Sequence, residues 1–132
     1  MDKKLLVAES PQLAPRLVTL LAPQRALFVH TLDAATKALA ERAFDAVLIG
    51  MHFDESRMFE LLAAIGAGER NRNVPVLCYR LRPPGFAAPG IEALEAAVQA
   101  QGARAFVDLA SLPEEEGKRQ LAALVASLTG RG

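Results

Sequence analysis

The chain has 132 residues, the length of one ordinary domain, and its 15 Lys and Arg balance its 15 Asp and Glu. A net charge of zero excludes a global electrostatic pull toward nucleic acid or an acidic membrane surface. A single cysteine, Cys78, excludes an internal disulfide and fits a reducing cytoplasm, and no apolar stretch reaches the ~20 residues of a membrane span.

Strand and helix signals alternate along the chain. Leu5-Leu-Val7 is a short apolar strand, and Glu9 follows it too soon for a signal peptide, so a cytoplasmic location is expected. Ser10 reads as an N-cap with Pro11 in the first helical position, and Leu13, Leu17, Leu20 and Leu21 share one helical face up to Pro23. Ala26 to Val29 reads as the second strand. Asp33 is a candidate cap for a helix whose inner face carries Ala35, Leu39 and Ala43. Ala46 to Ile49 is the third strand; its lack of alternation predicts burial on both faces, as in a parallel sheet. Met58, Leu61, Leu62 and Ile65 have helical spacing, with Gly66 or Gly68 as the stop, and Met58 and Phe59 are core candidates.

Val74 to Tyr79 is the fourth strand, with Pro75 near its start, and a loop rich in Pro and Gly runs from Arg80 to Gly90. Ile91, Leu94 and Val98 define a helix ending before Gly102, and Ala105 to Val107 is the fifth strand. Ser111 to Glu114 reads as a capping box with proline inside it, leading into a helix carrying Leu121, Leu124, Val125 and Leu128. Five βα units predict one doubly wound α/β domain over residues 1–132, a five-stranded parallel sheet flanked by five helices. Chemistry in such sheets gathers at the carboxyl ends of the strands, and the third strand ends in Gly50, which brings no side chain.

Four segments resemble the receiver domain of two-component response regulators. They are Lys4-Leu-Leu-Val-Ala-Glu-Ser10, the passage from Phe44 to Leu62, Asn73-Val-Pro-Val-Leu-Cys-Tyr79 and Gln99-Ala-Gln-Gly-Ala-Arg-Ala-Phe-Val107. Their order covers nearly the whole chain. The resemblance implies a flavodoxin-like fold and a role in bacterial signalling. Position by position, it also implies that the phosphorylation machinery is gone. The acidic pair that holds Mg²⁺ falls on Ala8 and Glu9, the phosphoacceptor aspartate on Gly50, the phosphoryl-binding hydroxyl on Arg80, and the lysine on Leu109 or, one residue earlier, Asp108. Phe106 falls on the aromatic switch position. Aspartyl phosphorylation needs a carboxylate nucleophile and cations on the transferring group, and Glu9 alone, with Asp54 or Asp108 as further acids, makes a poor Mg²⁺ site.

The expectation is therefore a pseudo-receiver: a protein-interaction module, not an enzyme, with no metal and no cofactor. The resemblance implies a partner face built from the fourth helix, fifth strand and fifth helix, roughly Ile91 to Leu128, where Ile91, Leu94, Val98 and Phe106 are expected to organise contacts with a partner or a second copy, although some of them must face the core. The other reading is an anion-sensing or nucleotide-sensing domain in which Arg80 and Arg82, at the mouth of the vestigial pocket, bind the ligand. An ion pair between Arg80 and Glu9 competes with that use. No glycine-rich loop after the first strand supports FMN or dinucleotide binding. His30 and His52 read as loop histidines, Cys78 as a buried inert thiol, Arg70 and Arg72 as solvated, and Glu114 to Glu116 as acids complementing a helix dipole.

Overall fold

Apolar strands that carry no polar alternation must be covered on both faces, and the chain does this with helices. The computed structural model describes residues 4–81 and 88–130, and the side chains of residues 88 and 89 lie outside that description. The strands are β1 (Leu5–Ala8), β2 (Ala26–Val29), β3 (Ala46–Gly50), β4 (Val76–Arg80) and β5 (Ala105–Asp108). The helices are α1 (Ala14–Leu21), α2 (Leu32–Glu41), α3 (Met58–Ala67), α4 (Ala88–Ala100) and α5 (Glu114–Leu128), with a 3₁₀ turn over Leu109–Ser111. All four strand pairings are parallel, in the order β2-β1-β3-β4-β5. This is the doubly wound five-stranded architecture that the alternating elements predict.

The core has two layers. On one face Leu5, Val7, Leu48, Leu77 and Tyr79 pack against α1 and α5 through Leu17, Leu21, Leu121 and Val125. On the other, Leu6, Val47, Ile49 and Cys78 pack against α2, α3 and α4 through Leu39, Leu61, Ile65 and Val98. Every residue of β1, β3 and β4 is buried, which makes these strands the rigid platform for whatever sits at their carboxyl ends.

Several element ends differ from the sequence reading. Helix α1 begins at Ala14; Ser10 instead accepts the backbone N–H of Leu13 and Ala14 through its carbonyl. Thr31, not Asp33, caps α2, its hydroxyl accepting the Ala34 N–H at 3.1 Å. The inner face of α2 carries Ala38 where Ala43 is expected; Ala43 lies beyond the helix and is exposed. Pro113 stands at the N-cap of α5 with no side-chain cap, because Ser111 is drawn into other bonds. Phe59 is 38% exposed, whereas Met58 is buried, since adjacent helical positions point about 100° apart. One anchor has no sequence signature at all. Buried Asn71 donates to the carbonyls of Leu39 (2.7 Å) and Arg42 (2.9 Å) and accepts the Phe44 N–H (3.0 Å), tying the end of α2 to the entrance of β3.

Candidate functional site

The sheet register brings the predicted site residues to one end of the sheet. Ala8 pairs with Ile49, Gly50 with Tyr79 and Arg80 with Asp108, so Glu9, Gly50, Arg80 and Asp108 all lie at strand carboxyl ends. They form two separate clusters.

The first is built on Glu9, whose side chain turns inward and is only 1% exposed. Its Oε1 accepts the Tyr79 hydroxyl at 2.9 Å and its Oε2 accepts the Ser10 N–H at 2.7 Å. The backbone is pinned on both sides: the Glu9 N–H donates to the Val29 carbonyl at 3.1 Å, and His30 Nδ1 donates to the Glu9 carbonyl at 2.8 Å. A carbonyl can only accept, so His30 carries a proton on Nδ1. The carboxylate lies directly over Gly50. A Cβ at position 50 would stand 2.8 Å from Glu9 Cδ and 3.0 Å from Oε2, and closer still to Oε1. The acid that follows the neighbouring strand thus fills the volume a side chain at position 50 would take, and any larger residue there must displace it. Burial first, then the charge of Glu9 and the hydrogen bond to it, push the Tyr79 phenol well above its ordinary value, so Tyr79 stays protonated as donor.

The second cluster corrects the expected pairing of Arg80 with Glu9. Arg80 reaches sideways across the sheet to Asp108. Its Nε donates to Asp108 Oδ1 at 2.7 Å, its Nη2 to Asp108 Oδ2, and Nη2 also to Ser111 Oγ at 3.2 Å. The Ser111 hydroxyl donates to Asp108 Oδ2 at 2.6 Å, closing the triangle. Burial raises the Asp108 carboxyl, but hydrogen bonds from Arg80 and Ser111 and the guanidinium charge outweigh it and hold the group below its ordinary value. Arg80 is only 8% exposed, so its fork is committed to an internal carboxylate and is a poor start for an anion site. Arg82, the second arginine of that reading, lies outside the described residues.

The remaining candidates fall as follows. Leu109 is buried in the layer under α1 and α5, a core side chain where the resemblance places a lysine. Phe106 is half-buried and packs with Leu94 onto the α2–α3–α4 layer, and Val98 is fully enclosed there. Val98 thus serves the core, Leu94 and Phe106 are partly buried against it, and Ile91 is half-buried. Asp54 accepts the Leu32 N–H at 2.8 Å, a capping role, from a turn in which Asp54, Glu55 and Ser56 all have positive φ. Asp54 and Asp108 thus each serve another partner, the Leu32 N–H and Arg80. Among the described residues no three His, Cys, Asp or Glu side chains are grouped so as to hold a metal ion. His52 is half-buried, with its Nε2 enclosed and unpartnered. Cys78 is fully buried, and burial pushes its thiol up to about 12, which makes it inert. Arg70 and Arg72 are exposed, their Nε atoms donating to the carbonyls of Ala40 and Gly68. No described helix is long and apolar enough to cross a membrane.

Comparison with solved structures interprets this geometry. A response regulator from Hahella chejuensis superposes with a TM-score of 0.77 at 16% identity, over 98% of this chain and 97% of that one. The phosphorylated cyanobacterial phytochrome response regulator RcpA gives 0.76 at 14% identity, over 100% and 97%. The receiver domain of a sensor histidine kinase from Pseudomonas aeruginosa PAO1, solved with magnesium coordinated in its active-site cleft, gives 0.73 at 16% identity, over 98% and 99%. The chain has the receiver fold. No family model and no curated protein matches it.

Sequence reasoning misses three partners at this receiver-like strand end. Tyr79 reads as one more apolar strand residue, although a buried tyrosine needs an acceptor for its hydroxyl. Asp108 and Ser111 read as a slipped register and a cap. Their three-residue spacing across a turn was the available signal for a side-chain pair.

Proposed function

We propose that this chain is a pseudo-receiver, a non-phosphorylatable receiver-like module that acts in bacterial signal transduction by binding another protein. The observation that carries this reading is the Glu9 carboxylate seated over Gly50. Phosphoryl transfer to a receiver needs an accessible carboxylate in line with the donor, with cations on the transferring group. Here the nucleophile's position has no side chain, and the volume above it holds an acid already bonded to Tyr79 and Ser10. An incoming phosphoryl group would meet a buried acid that, among the described residues, has no ion-pair partner.

The Arg80–Asp108–Ser111 triangle supports the same reading. The resemblance places the phosphoryl-binding hydroxyl and the lysine at these two strand ends. In this chain they are joined by a bidentate ion pair that bridges β4, β5 and the turn after β5. The geometry favours one fixed conformation, with the α4–β5–α5 face held in a constant shape. The test is partner capture from source extract with the chain immobilised, with and without Mg²⁺ and acetyl phosphate. Equal capture in both conditions, lost on Glu95→Arg and Ala96→Arg together on exposed α4, is the expected result. Capture that requires the phosphodonor would overturn the reading.

A further inference from the structure

The opposite end of the sheet carries a feature that the pseudo-receiver reading does not use. Strand β2 is an outer strand, bonded only to β1. Val29 accepts from Glu9, the residue just after β1, so Val29 and, two residues back, Leu27 direct their backbone groups inward. The alternating residues, Ala26 and Phe28, turn their N–H and C=O outward, away from the sheet. Leu27 is 38% exposed although its neighbours are apolar strand formers. Beside it runs a groove of about 350 Å³ lined by Leu5, Ala26, Leu27 and Phe44 and by three cations, Lys4, Arg25 and Arg42. All three are exposed, and among the described residues no side-chain nitrogen of theirs is within 4.0 Å of a carboxylate. Two acids lie nearby, outside the lining. Asp45 is bonded to the Lys4 backbone N–H at 2.6 Å, and Glu41 ends α2 beside Arg42.

We propose that this edge binds an acidic, extended peptide segment of a partner protein as a sixth strand alongside β2. The outward groups of Ala26 and Phe28 supply the backbone ladder, Leu27 and Phe44 supply an apolar seat, and Lys4, Arg25 and Arg42 select carboxylates at the end of the peptide that lies beside Ala26. Charge complementarity decides for an acidic partner: the lining holds three cations and no anion. A second copy would bring the same unpaired cations to the interface without supplying carboxylates from this groove.

The probe is a fluorescent peptide of alternating Thr and Val ending in two glutamates, matched with one ending in two lysines, read by anisotropy and by amide NMR shifts. The glutamate peptide should bind with shifts at Ala26, Leu27 and Phe28, and the lysine peptide at least roughly tenfold more weakly. Lys4→Glu with Arg25→Glu, both at exposed sites, should reverse that preference. Ala26→Pro, which removes an outward donor without breaking a bond to β1, should weaken binding of the glutamate peptide while the melting curve stays cooperative. Absent or charge-indifferent binding would overturn the proposal, as would binding that survives both variants. Concentration-dependent self-association with shifts at the same three amides would assign the edge to a second copy instead.

Discussion

Gly50→Ala puts a methyl group where the Glu9 carboxylate sits. The built Cβ falls 2.8 Å from Glu9 Cδ, well inside contact distance, so the acid must leave its place. Moving it breaks the hydrogen bond from Tyr79 and strands a buried hydroxyl. A bond to a charged acceptor is worth about 1.5–3 kcal/mol. Position 50 has no positive φ, so alanine itself fits the backbone and returns about 0.4–1 kcal/mol by restricting the unfolded chain. The net expectation is a loss of about 1–2 kcal/mol. Glu9→Ala alone also destabilises, by about 2–4 kcal/mol, through a cavity and the unpaired Tyr79 hydroxyl. In that background the methyl meets no carboxylate, and Gly50→Ala becomes neutral or stabilising by up to ~1 kcal/mol. Urea unfolding followed by circular dichroism on the four proteins yields the coupling, expected at about 1–3 kcal/mol. If Gly50→Ala costs the same in both backgrounds to within ~0.5 kcal/mol, the carboxylate does not occupy that volume and the reasoning fails.

Other expectations concern the second cluster and the buried strand. Arg80→Ala leaves Asp108 a partly buried, unpaired carboxylate and should cost about 1–3 kcal/mol, and Arg80→Lys should recover only part because it cannot donate bidentately; chemical denaturation checks both. The Asp108 carboxyl is held below its ordinary value, so its contribution is complete above the usual carboxylate range and fades as pH falls through the folded value. Asp108→Asn should flatten that acid limb of the stability profile. At alkaline pH the sign reverses. Cys78 and Tyr79 are raised in the fold from 9.0 and 10.0, so the unfolded chain ionises first and stability should fall from about pH 9 upward. Cys78→Ala with Tyr79→Phe should remove most of that slope. Native Cys78 should react with a thiol reagent only at the rate of unfolding, and fast labelling of the folded protein would contradict its enclosure.

The fold was legible because its determinants are local and repeated. Val47-Leu48-Ile49 lacks alternation because both of its faces are covered, and the leucines of α1 recur at helical spacing because one face meets the sheet. Element ends were harder to read, since Thr31 and Asp33 are both competent caps and only the path of the entering chain selects Thr31. Side-chain pairing across strands was least legible. Arg80 had two carboxylates within conceivable reach, Glu9 and Asp108. Tyr79, whose hydroxyl reaches across β3 from β4, already serves Glu9, leaving Asp108 for the guanidinium. Val98, Leu94 and Phe106 show the same limit: an apolar residue on α4 or β5 serves core and contact face equally well until the packing chooses.

The most direct measurement is intact mass after treatment with acetyl phosphate and Mg²⁺, on the natural chain and on Gly50→Asp. Both should remain unmodified. In the natural chain Glu9 is enclosed by Tyr79 and Ser10. In the variant the new carboxylate competes with Glu9 for one space, Arg80 stays bound to Asp108, and Leu109 supplies no cation. A stoichiometric phosphoryl adduct on a carboxylate of the natural chain would contradict the pseudo-receiver reading. An adduct on Gly50→Asp alone would show that only the nucleophile had been lost.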